Sequence, residues 1–165
     1  YGRPAQTRKG SVMPSELHEK LCAKAVTWLT RNGFPVSDKN VSGAGCRERV
    51  DAIGFRQQCA VLVEVKVSRA DFMADQRKPE RAEGGVGTYR FYLAPEGLLK
   101  VEDLPDGWGL LEHKGRSITM RHGPLGNWWP NFHAAQDNEW REFAHRPCEK
   151  SEHALLYALA RKNIC

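Results

Sequence analysis

Residues 49–78 read RVDAIGFRQQCAVLVEVKVSRADFMADQRK, and the run at 59–67 within them decides the fold. It is β-branched and apolar, of strand length, and interrupted by two charges. Strand side chains alternate, so Ala60, Leu62, Glu64 and Lys66 share one face, while Cys59, Val61, Val63, Val65 and Val67 share the other. The wholly apolar face is a core face. A carboxylate and an ammonium group at adjacent same-face positions near the strand end are costly to half-bury without partners or a metal. Upstream, residues 49–55 alternate in the same way and group Arg49, Asp51, Ile53 and Phe55. Only residues 56–58 separate the two runs, which predicts a hairpin with Asp51 meeting Glu64 across it.

Before this hairpin, Ser15 is read as the cap of a first helix with Glu16 and Glu19 in its first turn. Leu17, Leu21, Ala25, Trp28 and Leu29 form its apolar stripe, with His18 packed on the stripe side, and Asn32-Gly33 closes it. Residues 34–46 read as an irregular strand and turn. Gly43-Ala44-Gly45 there lacks the third glycine and the following helix of a dinucleotide fingerprint.

After the hairpin, Ser68 with Asp71 starts a second helix, which packs Ala70, Phe72 and Met73 on the sheet and is limited by Pro79. Arg69, Arg77, Lys78 and Arg81 fan over one side of it among Asp71, Asp75, Glu80 and Glu83. Arg77 reads as part of a solvated face that Asp71, Asp75, Glu80 and Glu83 balance. Arg69, Lys78 and Arg81 are the candidates for phosphate contact. EGGVGT at 83–88 is either a loop that closes over a ligand or slack. Residues 89–94 form the next strand and 108–113 with 117–121 a terminal hairpin. Trp128-Trp129 either stacks on bases or covers a core edge, and 134–144 and 151–162 read as helices.

The chain has 165 residues, enough for one domain with a sizeable core. Five cysteines without a CxxC pair speak against a disulfide framework and a structural zinc site, which fits a reduced, cytoplasmic setting. No apolar run is long enough for a membrane span. The net charge is +5, but residues 1–13 carry Arg3, Arg8 and Lys9 with no acid, so the rest is nearly balanced. Composition alone therefore argues weakly for nucleic acid. Residues 1–14 read as a disordered tail.

The aspartate at 51, the twelve-residue interval and Glu64-Val65-Lys66 resemble the D…ExK signature of the PD-(D/E)XK nuclease superfamily. EVKVSRADF at 64–72, RFYLAP at 90–95 and the segment 104–111 are similar to MmcB-like DNA-repair proteins and small phage nucleases of that group. The likeness spans residues 15–120. Val50 stands where the superfamily has its naming proline, a structural position whose change leaves the aspartate in place.

The resemblance implies an α/β fold with a restriction-endonuclease-like core at 15–123, a central mixed β-sheet flanked by helices. A C-terminal helical extension at 124–165 would pack on that core. It implies a Mg²⁺- or Mn²⁺-dependent deoxyribonuclease acting in DNA repair or phage DNA processing, with Asp51, Glu64 and Lys66 as catalytic residues. Asp51, Glu64 and the Val65 carbonyl are the expected metal ligands. Glu19 or Glu48 would join them only by turning inward, and Glu48 otherwise pairs with Arg47 or Arg49 at the surface. Lys66 would orient the attacking water or meet the developing oxyanion; a base role requires losing its proton, which two carboxylates oppose. The alternative is a nucleic-acid-binding module that does not cut and engages repair or replication proteins. A homodimer would accompany cutting of both strands.

Overall fold

The structure, a computed structural model, describes residues 14–164. The expected tail therefore lies outside the described residues, except for Pro14. Helix α1 (Pro14–Arg31) begins at that proline, so Ser15 lies inside the helix rather than capping it. Proline suits a first helical position because its missing N–H would have no partner there. Leu21, Ala25 and Leu29 are buried along the predicted stripe. At the far end Gly33 adopts φ 84°. The Phe34 N–H donates to the Leu29 carbonyl at 3.0 Å and the Gly33 N–H to Thr30 at 3.1 Å. This is the left-handed glycine stop that Asn32-Gly33 predicts.

Six strands follow: β1 (Val36–Val41), β2 (Val50–Phe55), β3 (Ala60–Val65), β4 (Tyr89–Pro95), β5 (Trp108–Lys114) and β6 (Ser117–His122). They lie side by side in chain order. β1, β2 and β3 are antiparallel, β3, β4 and β5 are parallel, and β6 folds back antiparallel on β5. Helix α2 (Arg69–Asp75) carries the chain from β3 to β4, as a parallel pair requires a crossover. The predicted β2–β3 hairpin is present, with Ala52 opposite Val63 and Ile53 opposite Leu62. Its parity places Asp51 opposite Glu64.

Both faces of β3 are core. Val61, Val63 and Val65 pack with Leu21, Ala25 and Leu29 of α1, while Ala60 and Leu62 pack with Phe72, Trp108, Leu155 and Leu159. Glu64 and Lys66 thus end an apolar face, which raises the cost of leaving them unpartnered. In β2 the alternation holds from Ala52 to Phe55 but breaks at Val50, which joins the cluster of Ile53 and Phe55.

Ser68 caps α2 as expected, its hydroxyl accepting from the Asp71 N–H at 3.1 Å. The inward face differs from the expectation. Met73 is 53% exposed and Ala70 is exposed, whereas Phe72 and Asp75 are buried. The predicted helix at 134–144 is also broken, into α3 (Phe132–Ala135) and a 3-10 turn, Glu139–Phe143. The Asn138 side chain accepts from the Trp140 N–H at 2.9 Å, a local bond that competes with helix continuation. Trp129 is buried and meets Phe34, Tyr89 and Trp140 edge-on at 5.2–5.3 Å, whereas Trp128 is exposed. The tandem tryptophans therefore divide between core and surface. Helix α4 (Glu149–Lys162) closes the second face through Leu155 and Leu159.

The glycine-rich loop is tied down. Gly85 to Thr88 are buried, the Thr88 N–H donates to Ala60 at 2.9 Å and the Cys148 N–H to Gly85 at 2.8 Å. The Gly87 N–H donates to Glu152 at 3.3 Å. Neither of the readings offered for this loop, a closing flap or slack chain, fits.

Burial pushes the Glu152 carboxyl up to about 7, against the Gly87 N–H and Arg90, which favour its charge. Its folded value exceeds its unfolded one, so its stabilising share is complete below the ordinary carboxylate range and is lost as pH rises through about 7. Glu152→Gln is expected to flatten the fall in thermal stability between pH 5 and 8.5, measured by calorimetry. An unchanged slope would refute this assignment.

Among the described residues four cysteines are free, and no helix is long and apolar enough to cross a membrane.

Candidate active site

β2 and β3 deliver Asp51 and Glu64 to one end of the sheet, and the first residue after β3 delivers Lys66. Together with His18, Arg49, Asp71, Asp75 and Lys78 they line a cavity of about 340 Å³. Asp51 is held by the strand itself: the Val65 N–H donates to its Oδ2 at 2.8 Å. Its other oxygen faces His18 Nε2 at 3.3 Å.

The Glu64 side chain is 2% exposed, and its Oε1 is buried without a hydrogen-bond partner. Arg81 Nη2 comes only to 3.7 Å of that oxygen. Lys66 Nζ lies 3.9 Å from Glu64 Oε2. Burial, and then the Asp51 charge, push the Glu64 carboxyl well above the usual carboxylate range. A buried carboxyl beside a second carboxylate resists ionisation.

A group that the sequence reading placed at the surface anchors the whole end of the sheet. Asp75 is 1% exposed. Its Oδ1 accepts from Lys66 at 3.0 Å and pairs with Lys78 at 3.0 Å, while its Oδ2 accepts from Arg81 Nε at 2.7 Å and from the Tyr92 hydroxyl at 2.6 Å. Gln76 donates to the same hydroxyl at 2.8 Å. Tyr92 in turn stacks on Trp108, ring centroids 4.4 Å apart and planes 20° apart. Burial opposes the Asp75 charge, but the Arg81 guanidinium, the Tyr92 hydroxyl and Lys66 together hold its carboxyl well below the usual range.

Arg81 is not a phosphate contact. Its side chain is 4% exposed, fixed by Asp75 and by Glu48 Oε1 at 2.6 Å, and it covers the Trp108 ring at 5.1 Å. Glu48, expected as a metal ligand or a surface partner of Arg47 or Arg49, is instead buried on Arg81 and accepts from the Val86 N–H at 3.2 Å. Glu19 does not turn inward. Its side chain is 51% exposed and pairs with Lys39 at 3.3 Å and Asn40 at 3.0 Å. Arg69 is exposed but engaged by Asp103, two contacts at 2.9 and 3.2 Å. Lys78 keeps a place at the cavity rim, and Arg49 joins it there.

His18 and Asp75 are thus the site residues that sequence reasoning missed. The spacing of Phe72 and Asp75 carried the signal for the second, since residues three apart share a helix face. For His18 the signal was weaker, a position one turn before Cys22 at the helix's inner border.

The donors left over define what the cavity can hold. Asp51 and Glu64 line one cavity, and Asp51 Oδ1 and Glu64 Oε1 have no backbone donor committed to them, a set suited to a hard divalent cation. A second set, His18, Cys22 and Asp51, has ligand atoms all within 4.8 Å of one another. Its thiol is pushed up to about 12, chiefly by burial, so it gives up a proton reluctantly and fits a metal less well than the carboxylate pair.

No family model matches the sequence, and no curated protein matches it. Among solved structures, a protein of unknown function from Silicibacter pomeroyi is similar at TM-score 0.52 and 19% identity, over 78% of this chain and 73% of that chain. The fold is α/β, a mixed six-stranded sheet flanked by helices. At that identity the likeness concerns the fold alone.

Proposed function

We propose that this chain is a metal-dependent DNA nuclease that hydrolyses phosphodiester bonds, in the manner of the PD-(D/E)XK superfamily. The observation that carries the reading is the convergence of Asp51, Glu64 and Lys66 on one open cavity, with a buried Glu64 oxygen left without a partner. The mixed central sheet flanked by helices supports it, since that is the core the sequence resemblance implies.

Asp51 and Glu64 would hold Mg²⁺ or Mn²⁺, which when bound supplies Lewis acidity to a phosphoryl oxygen. The chain's own groups do the rest. The Val65 N–H fixes Asp51 so that one oxygen points into the cavity. Asp75 fixes Lys66, whose ammonium group lies 3.0 Å from Asp75 and 3.9 Å from Glu64 and meets negative charge developing on the phosphate. Lys78 and Arg49 at the rim position the flanking phosphates. His18, whose Nε2 lies 3.3 Å from the second Asp51 oxygen, helps to orient it.

A second reading is a nucleic-acid-binding module without turnover. Lys66 favours it, because it sits nearer to Asp75 than to Glu64. The test is a panel of duplex, single-stranded, flapped and branched DNA with Mg²⁺ or Mn²⁺. Cleavage of at least one substrate is expected, and binding to all without cleavage would establish the second reading.

A further inference from the structure

A second basic surface lies outside the cavity. Lys24, Thr27, Trp28 and Arg31 on one flank of α1 face Arg116 of the β5–β6 turn and Ser117 at the start of β6 across a groove of about 290 Å³. Three cations line it and no acid does. Among the described residues none of the three has an ion-pair partner, whereas Lys66, Lys78, Arg69 and Arg81 are all engaged by acids. Lys24 Nζ instead donates to the Arg116 carbonyl at 3.4 Å, a contact between helix and turn. The indole of Trp28 is half-buried along the wall, and Ser117 adds a hydroxyl.

On β5, His113 is held below its usual range first by burial and then by Lys24 and Lys20.

We infer that this groove binds the sugar–phosphate backbone of the DNA substrate at a fixed distance from the cavity. The inference rests on the nuclease reading for the identity of the substrate, but the groove's own chemistry specifies a polyanion. Its placement follows from the sheet. β3, β4 and β5 are parallel, so the β5–β6 turn emerges at the same sheet end as Glu64. Glu64 is level with Tyr92 and, through it, with Leu110, so the turn at Arg116 lies both beside the cavity and further along the strands. Its free cations are suited to phosphates flanking the scissile bond. With Arg81 buried and Arg69 engaged, the groove supplies the charge that the segment after β3 does not.

The test uses the full chain with Lys24, Arg31 and Arg116 all changed to Gln, and a second variant carrying only Lys24→Gln and Arg116→Gln in case the triple variant folds poorly. Fluorescence anisotropy with a labelled 20-nucleotide strand and its duplex in Ca²⁺ gives affinity and its salt dependence. The triple variant should bind at least tenfold more weakly, with a log–log salt slope reduced by about two to three, since each lost phosphate contact removes roughly 0.7–0.9. Hydrolysis of bis-p-nitrophenyl phosphate with Mn²⁺, which is too small to reach the groove, should be unchanged. An unaltered slope with intact folding in both variants overturns the groove. Failure of wild-type protein to cleave either the small ester or DNA, with groove-dependent DNA binding intact, overturns the nuclease reading and leaves the groove standing.

Discussion

Asp51→Asn is expected to lower Mg²⁺- or Mn²⁺-supported DNA cleavage by on the order of a thousandfold or more, while the fold survives. Asparagine keeps a carbonyl oxygen that can accept from the Val65 N–H, so the hairpin loses little. What disappears is the negative charge beside Glu64. Glu64→Gln should abolish cleavage equally, with an opposite effect on the metal-free protein. Glu64 has a folded value above its unfolded one, so its stabilising share is complete below the ordinary carboxylate range and is lost as pH rises through the raised value. Glu64→Gln should therefore unfold at a higher temperature than wild type at pH 8 in EDTA, and gain less at pH 4.5. Cleavage retained by either variant would remove the carboxylate pair from the chemistry. A lower unfolding temperature for Glu64→Gln at pH 8 would show that Arg81 and Lys66 depend on its charge more than burial resists it.

Asp75→Ala is the substitution expected to damage folding most. It takes from buried Lys66 its closest acceptor and from buried Arg81 one of its two close carboxylates, and removes the acceptor of the Tyr92 hydroxyl. Breaking one side of a buried charge cluster costs about 3–5 kcal/mol. In a chain of this size that lowers the unfolding temperature by on the order of 10 °C. Asp75→Asn keeps one acceptor and should cost less. The sign with pH differs from that of Glu64. Asp75 is held below its unfolded value, so its contribution is present above the ordinary carboxylate range and is lost as pH falls through the depressed value. The gap between wild type and Asp75→Ala should thus be full at pH 7 and shrink in strong acid. Denaturant titrations at both conditions check this, and a loss below 1 kcal/mol at pH 7 would mean that water replaces the carboxylate.

The particular residues show where a linear reading works. Alternation in β3 and the short 56–58 connection placed Asp51 opposite Glu64, and Ser68 and Gly33 marked helix ends, because those signals act over a few bonds. Asp75 was misjudged because the acids and bases at 69–83 resemble a solvated face. The distinction depends on a tight turn at Pro79 that swings Arg81 back under the helix. Glu48 and Arg81 are far apart in sequence, and no periodicity links a pair that only the folded sheet end creates. The same holds for Arg116, whose role depends on the twist that brings a hairpin turn to α1. Short-range chemistry was legible, and the charge partners across the sheet end were not.

The stacking of Tyr92 on Trp108 has a practical outcome. Because the phenol ends on Asp75 and the guanidinium of Arg81 covers the indole, any loosening of the segment that carries them alters the surroundings of Trp108, one of three buried tryptophans with Trp129 and Trp140. Optical emission from that indole, taken as the difference from a Trp108→Phe variant, then becomes a gauge of whether the acidic end of the molecule is assembled, readable without a label and before any substrate is added.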